Sequence, residues 1–114
     1  MDLGIKDKVA FITGASSGIG LSTAEAFVKE GANVIICGRN QEKLEEAKKQ
    51  IKQNTGTEVG AYACDTSKFD QVEKTVNQIV KEYKRIDILI NNAGKAQAGG
   101  VVDAKPEDWQ SMID

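Results

Sequence analysis

Three short segments of this 114-residue chain carry residues whose types and spacing could do chemistry. The first is Thr13-Gly14-Ala15-Ser16-Ser17-Gly18-Ile19-Gly20. Here Gly14 would permit a tight strand-to-helix turn, Gly18 would let the backbone approach a pyrophosphate, and Gly20 would let a helix pack closely on a strand. N–H groups at the helix start would face an anion with the helix dipole behind them, and Ser16 and Ser17 add hydroxyls at the same place. The second is Asn91-Asn92-Ala93-Gly94, where small Ala93 and Gly94 leave room for a sugar against the backbone and Asn92 can hydrogen-bond across neighbouring strand ends. The third is a pair of positions, Gly38-Arg39 and Asp65, the latter between Cys64 and Thr66. A plain glycine turn, or an Asn-Gly turn closing a strand, would use some of these residues with no ligand at all. What surrounds them therefore decides.

Other chemistries are excluded by what is missing. The chain has no histidine, which removes the commonest general base and the commonest metal ligand together. No metal site and no Ser-His-Asp mechanism is predicted. Cys37 and Cys64 are the only cysteines; they sit in apolar runs without redox or zinc spacing and read as buried reduced thiols. With 15 basic against 17 acidic residues the chain offers no basic face to a phosphate backbone, so nucleic acid is not a predicted partner. No apolar run approaches the roughly 20 residues needed to cross a bilayer, so no membrane partner is predicted. Charges within residues 1–8 stand where a signal peptide needs an apolar stretch, which points to a cytoplasmic location.

The elements that must position these segments follow from periodicity. Apolar runs at 9–12, 34–37, 59–64 and 86–90 are of strand length, and their lack of polar alternation predicts a parallel sheet covered on both faces. Helical stripes lie between them: about 18–30 with Ile19, Ala24, Phe27 and Val28; about 41–54 with Leu44, Ala47 and Ile51; and about 68–84 with Val72, Val76, Ile79, Val80 and Tyr83. Asn40 is placed to cap the second helix, Ser67 with Asp70 resembles a capping box for the third, and Gly31 follows the first. A fourth helix should start near Pro106, with Trp109 and Met112 facing inward. The predicted fold class is α/β: one domain over 1–114, the first half of a Rossmann-like doubly wound parallel sheet in strand order 3-2-1-4. Its fourth strand should then expose a free edge.

The Gly-x-x-x-Gly-x-Gly spacing after Thr13 differs from the Gly-x-Gly-x-x-Gly of most dinucleotide folds and resembles the short-chain dehydrogenase/reductase family. Asn91-Asn92-Ala93-Gly94 looks like that family's Asn-Asn-Ala-Gly signature, and Pro106-Glu107-Asp108-Trp109 is similar to the segment that opens its next helix. The resemblance covers essentially the whole chain, with the 3-oxoacyl-carrier-protein reductase type as the nearest general relative. It implies a dinucleotide cofactor held by Gly14, Ser16, Ser17, Gly18, Ile19, Gly20, Arg39, Cys64, Asp65, Asn92, Ala93 and Gly94, with Asp65 beside the adenine. Recognition of a free adenosine 2′-hydroxyl normally uses a carboxylate at the end of the second strand. No acidic residue stands at 37–41, and Arg39 offers a guanidinium fork to a 2′-phosphate, so NADP(H) is preferred over NAD(H). Members of this subgroup often place a second basic residue inside the glycine turn, where this chain has Ser16 and Ser17.

The resemblance further implies hydride transfer between NADP(H) and a small carbonyl or secondary-alcohol substrate in the complete protein, and a homo-oligomer. The family's proton donor is a tyrosine with a lysine four residues later. Tyr62 and Tyr83 are followed at that spacing by Thr66 and Asp87, so no catalytic residue is assigned. The chain stops at Asp114, within an expected helix, and reads as cut before the catalytic half and inactive alone. A non-catalytic nucleotide-binding module and a truncated gene product fit the same residues.

Overall fold

The four apolar runs form parallel strands because each sends alternate side chains to two separately covered faces. In the computed structural model, which describes residues 4–16, 18–92 and 101–102, they are β1 (Val9–Thr13), β2 (Asn33–Gly38), β3 (Gly60–Ala63) and β4 (Ile88–Asn91). Helices α1 (Gly18–Lys29), α2 (Gln41–Thr55) and α3 (Phe69–Tyr83) alternate with them, and β5 (Val101–Val102) follows. The sheet order is β3-β2-β1-β4-β5. Ala10, Ile12, Ile36, Ile88 and Ile90 pack toward Ala24, Phe27, Leu44 and Ile51 of α1 and α2. Phe11, Ile35, Cys37 and Leu89 pack on the other face toward Val72, Val76 and Ile79 of α3. Burying both faces at about 25 cal/mol per Å² of apolar surface is the main term holding the sheet together.

The predicted order 3-2-1-4 is present, with one addition. The edge of β4 is paired: β5 lies antiparallel to it, with Leu89 opposite Val102 and Ile90 opposite Val101. The expectation of a free fourth-strand edge is corrected accordingly, because the chain itself supplies backbone partners there. Asn40 caps α2 as expected, its Oδ1 accepting from the N–H of Lys43 at 3.1 Å. The capping box of α3 does not form. The N-cap is Lys68, with no side-chain bond, while Ser67 turns back to Asp65.

The stripe of α1 also differs from expectation. Gly20, Ala24, Phe27 and Val28 are buried, whereas Ile19 is 80% exposed. Contact with the turn below decides this, since the first inward position of the helix is taken by the one residue lacking a side chain. The segment around Pro106, Trp109 and Met112 lies outside the described residues.

Candidate functional site

At the carboxyl ends of the four parallel strands the chain leaves the sheet, and these strand ends surround a cleft of about 350 Å³. The glycine turn forms one wall. Gly14 and Gly18 take φ of +63° and +62°, values that a side chain would penalise, so the chain leaves β1 and enters α1 within four residues. A Cβ on Gly20 would overlap the carbonyl oxygen of Gly14 and lie 2.8 Å from its carbon and 2.9 Å from Ala15 Cα. Helix α1 is therefore seated directly on the turn's backbone. The N–H of Ala15 donates to the Cys37 carbonyl at 3.4 Å, tying the turn to the end of β2.

A second wall is the end of β4, locked to the first by Thr13. This fully buried hydroxyl donates to Asn91 Oδ1 at 2.8 Å, and the N–H of Asn92 donates to the Thr13 carbonyl at 3.3 Å. Asn92 lines the cleft, and its side-chain Nδ2 is buried with no hydrogen-bond partner among the described residues. Buried amide donors are nearly always satisfied, so this one calls for an acceptor beyond the described residues.

The third wall joins β2 and β3. Cys64 N–H donates to the Gly38 carbonyl at 2.9 Å, and the next residue on each strand, Arg39 and Asp65, faces the cleft. Asp65 is held firmly. Its Oδ1 accepts from the N–H of Ser67 at 3.0 Å and from Ser67 Oγ at 2.7 Å, while its own N–H donates to Gln71 Oε1 at 2.9 Å. The Ser67 hydroxyl first and the Ser67 amide second hold the Asp65 carboxyl below its ordinary pKa, outweighing desolvation, with lesser help from the charges of Arg39 and Lys68. It is an anion at neutral pH.

Gly14, Ser16, Arg39, Cys64, Asp65 and Asn92 are thus brought together from four separate segments. Gly18 and Gly20 shape the turn without lining the cleft, and Ile19 is exposed and does not line it either. Ser17, Ala93 and Gly94 lie outside the described residues. The structure adds Thr13, Ser67 and Gln71, which the sequence reading did not place at the site. An Asp followed two residues later by Ser is the spacing of a side-chain-to-backbone turn, a signal that would have placed Ser67 here had it not been read as a helix cap. The cysteines are free and buried, and the Cys37 thiol donates to the Cys64 carbonyl at 3.6 Å. Burial first, and the neighbouring Cys64 second, push the Cys37 thiol well above its ordinary pKa, so it is an unreactive wall.

This arrangement offers a ligand the glycine turn, the Asn92 amide, and an Arg39 cation and Asp65 anion on adjacent strand ends. The family model for short chain dehydrogenases matches residues 8–114. The chain belongs to that family. Over 110 residues the chain is 46% identical to the 3-dehydrosphinganine reductase TSC10A of Arabidopsis thaliana, covering 96% of the chain and 32% of the relative. Over 108 residues it is 38% identical to the 3-oxoacyl-[acyl-carrier-protein] reductase FabG of Chlamydia muridarum, covering 95% of the chain and 44% of the relative. The crystal structure of L-sorbose reductase from Gluconobacter frateurii, complexed with NADPH and L-sorbose, superposes with a TM-score of 0.77 at 41% identity, covering 96% of this chain and 42% of that one. The chain therefore spans between about a third and a half of the length of these relatives.

Neither tyrosine is placed for proton transfer in the cleft. The Tyr62 hydroxyl donates to Glu82 at 2.7 Å on the sheet edge, and burial followed by that carboxylate pushes its pKa up to about 12. Tyr83 packs against the α3-side core, and desolvation raises its pKa too. A proton donor near neutral pH needs a shift in the opposite sense. Among the described residues no group of His, Cys, Asp and Glu could hold a metal ion, and no helix is long and apolar enough to cross a membrane.

Proposed function

We propose that residues 1–114 are the dinucleotide-binding portion of an NADP(H)-dependent oxidoreductase that moves hydride between the cofactor and the carbonyl or secondary alcohol of a small substrate. The observation that carries the cofactor preference is the end of β2. Arg39 faces the cleft there, with no carboxylate at 37–41 to receive a free 2′-hydroxyl. Such a carboxylate would repel a 2′-phosphate, whereas the guanidinium pairs with it through a charged fork.

The fit of the cofactor rests on three features of the site. Gly14, Ser16 and the start of α1 offer a turn without side-chain bulk to the diphosphate. Asn92 Nδ2 has no acceptor among the described residues. Asp65 presents an ionised carboxylate to the exocyclic amine of an adenine. The cofactor, when bound, supplies the hydride. These residues bind and orient it, and the proton for the substrate oxygen comes from a group other than Tyr62 or Tyr83.

Titration of NADPH and NADH by fluorescence tests the reading. Gly38 has room for a side chain, since a Cβ there meets Ser16 and Leu44 atoms at 3.5–3.7 Å, ordinary contact distances. The double variant Gly38→Asp with Arg39→Ala should therefore fold, lose about tenfold in NADPH affinity, the worth of one charge-assisted hydrogen bond, and prefer NADH. Equal affinities in the parent, or no loss for NADPH in the variant, would reduce Arg39 to a surface charge.

A further inference from the structure

Arg39 and Asp65 are the first residues beyond the last backbone bond between β2 and β3, the 2.9 Å contact from Cys64 N–H to the Gly38 carbonyl. Both line the same cleft. A cation and an anion are thus fixed at one end of the site, on adjacent strand ends, and any ligand group attracted by one is repelled by the other. Their mobilities differ. Arg39 is exposed on a long side chain, whereas Asp65 is short and held by Ser67 through two bonds to Oδ1 at 3.0 and 2.7 Å. Arg39 can swing toward a ligand, but the carboxylate cannot retreat from one.

We propose that Asp65 is a specificity-determining residue that works against the 2′-phosphate. Preference for NADP(H) in this chain is the attraction of Arg39 reduced by the standing repulsion of the anchored Asp65 carboxylate. The inference rests on the NADP(H) reading of the site and deepens it. With the adenine held beside Asp65, as the proposed function has it, that contact would be common to NADPH and NADH. Only the charge-charge part distinguishes them, and it appears in the ratio of the two dissociation constants. Lys68, the next basic residue acting on Asp65, offsets part of the repulsion without removing it.

The test is the ratio Kd(NADH)/Kd(NADPH) in the parent, in Asp65→Asn and in Asp65→Ser. Asparagine keeps an acceptor oxygen for Ser67, and serine supports the same kind of local turn, so one of the two should preserve the loop. Either uncharged variant should raise the ratio about threefold at low salt. That is the size expected for a phosphate and a carboxylate roughly a nanometre apart in water-like surroundings. The difference from the parent should fade above about 0.5 M salt, where the Debye length falls to a few ångströms. A loss of adenine contact alone would weaken both cofactors equally, leaving ratio and salt dependence unmoved. A ratio unchanged or lowered in both variants overturns the inference whatever the parent's value. The parent's ratio is the separate test of the NADP(H) reading.

Discussion

Replacing Asp87 should destabilise the protein by an amount that the local geometry sets and that acid removes. Asp87 stands just before β4, with its side chain 20% exposed. Its Oδ2 accepts from the backbone N–H of Val9, at the start of β1, and from Arg85 Nε, both at 2.8 Å. Val9 is only 4% exposed, so Asp87→Ala would leave a buried amide without its acceptor. A hydrogen bond to a charged group contributes about 1.5–3 kcal/mol, and a partly exposed ion pair such as that with Arg85 adds about 0–1. The expected loss at pH 7 is about 2–3 kcal/mol for alanine. It should be about 1 kcal/mol for Asp87→Asn, which keeps an acceptor for Val9. Burial raises the carboxyl's pKa, but the Val9 amide and Arg85 outweigh it, and the net value lies below the ordinary one. A depressed folded pKa gives stability that is present above the unfolded value of about 3.9 and is lost as pH falls through the folded value. Urea unfolding followed by circular dichroism at pH 7 and near pH 3 checks both statements. An alanine cost below about 0.5 kcal/mol at pH 7, or a gap from the parent that does not narrow in acid, would refute the assignment.

Gly20→Ala should lower NADPH affinity at least tenfold and reduce thermal stability, because the new methyl meets only backbone atoms of Gly14 and Ala15, which cannot step aside without moving the turn; unchanged melting and titration would show the helix seat to be loose. The 114-residue chain should oxidise NADPH no faster than background with ketones or 3-oxoacyl thioesters, since a positioned proton donor, worth about 10²–10⁴-fold, is absent from the arrangement of Tyr62 and Tyr83. Absorbance at the reduced nicotinamide band reports it, and turnover near that of longer family members would place the chemistry within these residues.

How much of this was legible beforehand depends on the range over which each feature is decided. The strands and helices are local in origin. Unalternated apolar runs at 9–12, 34–37 and 86–90 can be satisfied only between two covered faces, and the stripes between them bury the expected residues from Ala24 to Ile79. The glycine turn was readable for the same reason, since φ values of +63° and +62° at Gly14 and Gly18 are requirements of a chain reversing within a few residues.

Tertiary structure decided what depended on partners far along the chain. Ile19 fits a helical stripe by spacing, yet it points outward, because the turn beneath α1 admits no side chain at the neighbouring inward position. Ser67 has the spacing of a capping box, but its hydroxyl goes to Asp65, whose carboxylate competes successfully for it over a distance of two residues. The Thr13 to Asn91 bond spans 78 positions, and no periodicity could announce it; it exists because β1 and β4 are neighbours in the sheet order. The edge of β4 likewise gains β5 by a pairing that only the folded sheet offers. The sequence alone determined the four parallel strands, the three helices between them and the place of the glycine turn. Sheet order then decided which side chains meet at the strand ends, because burial pairs residues by position in space and not by separation along the chain.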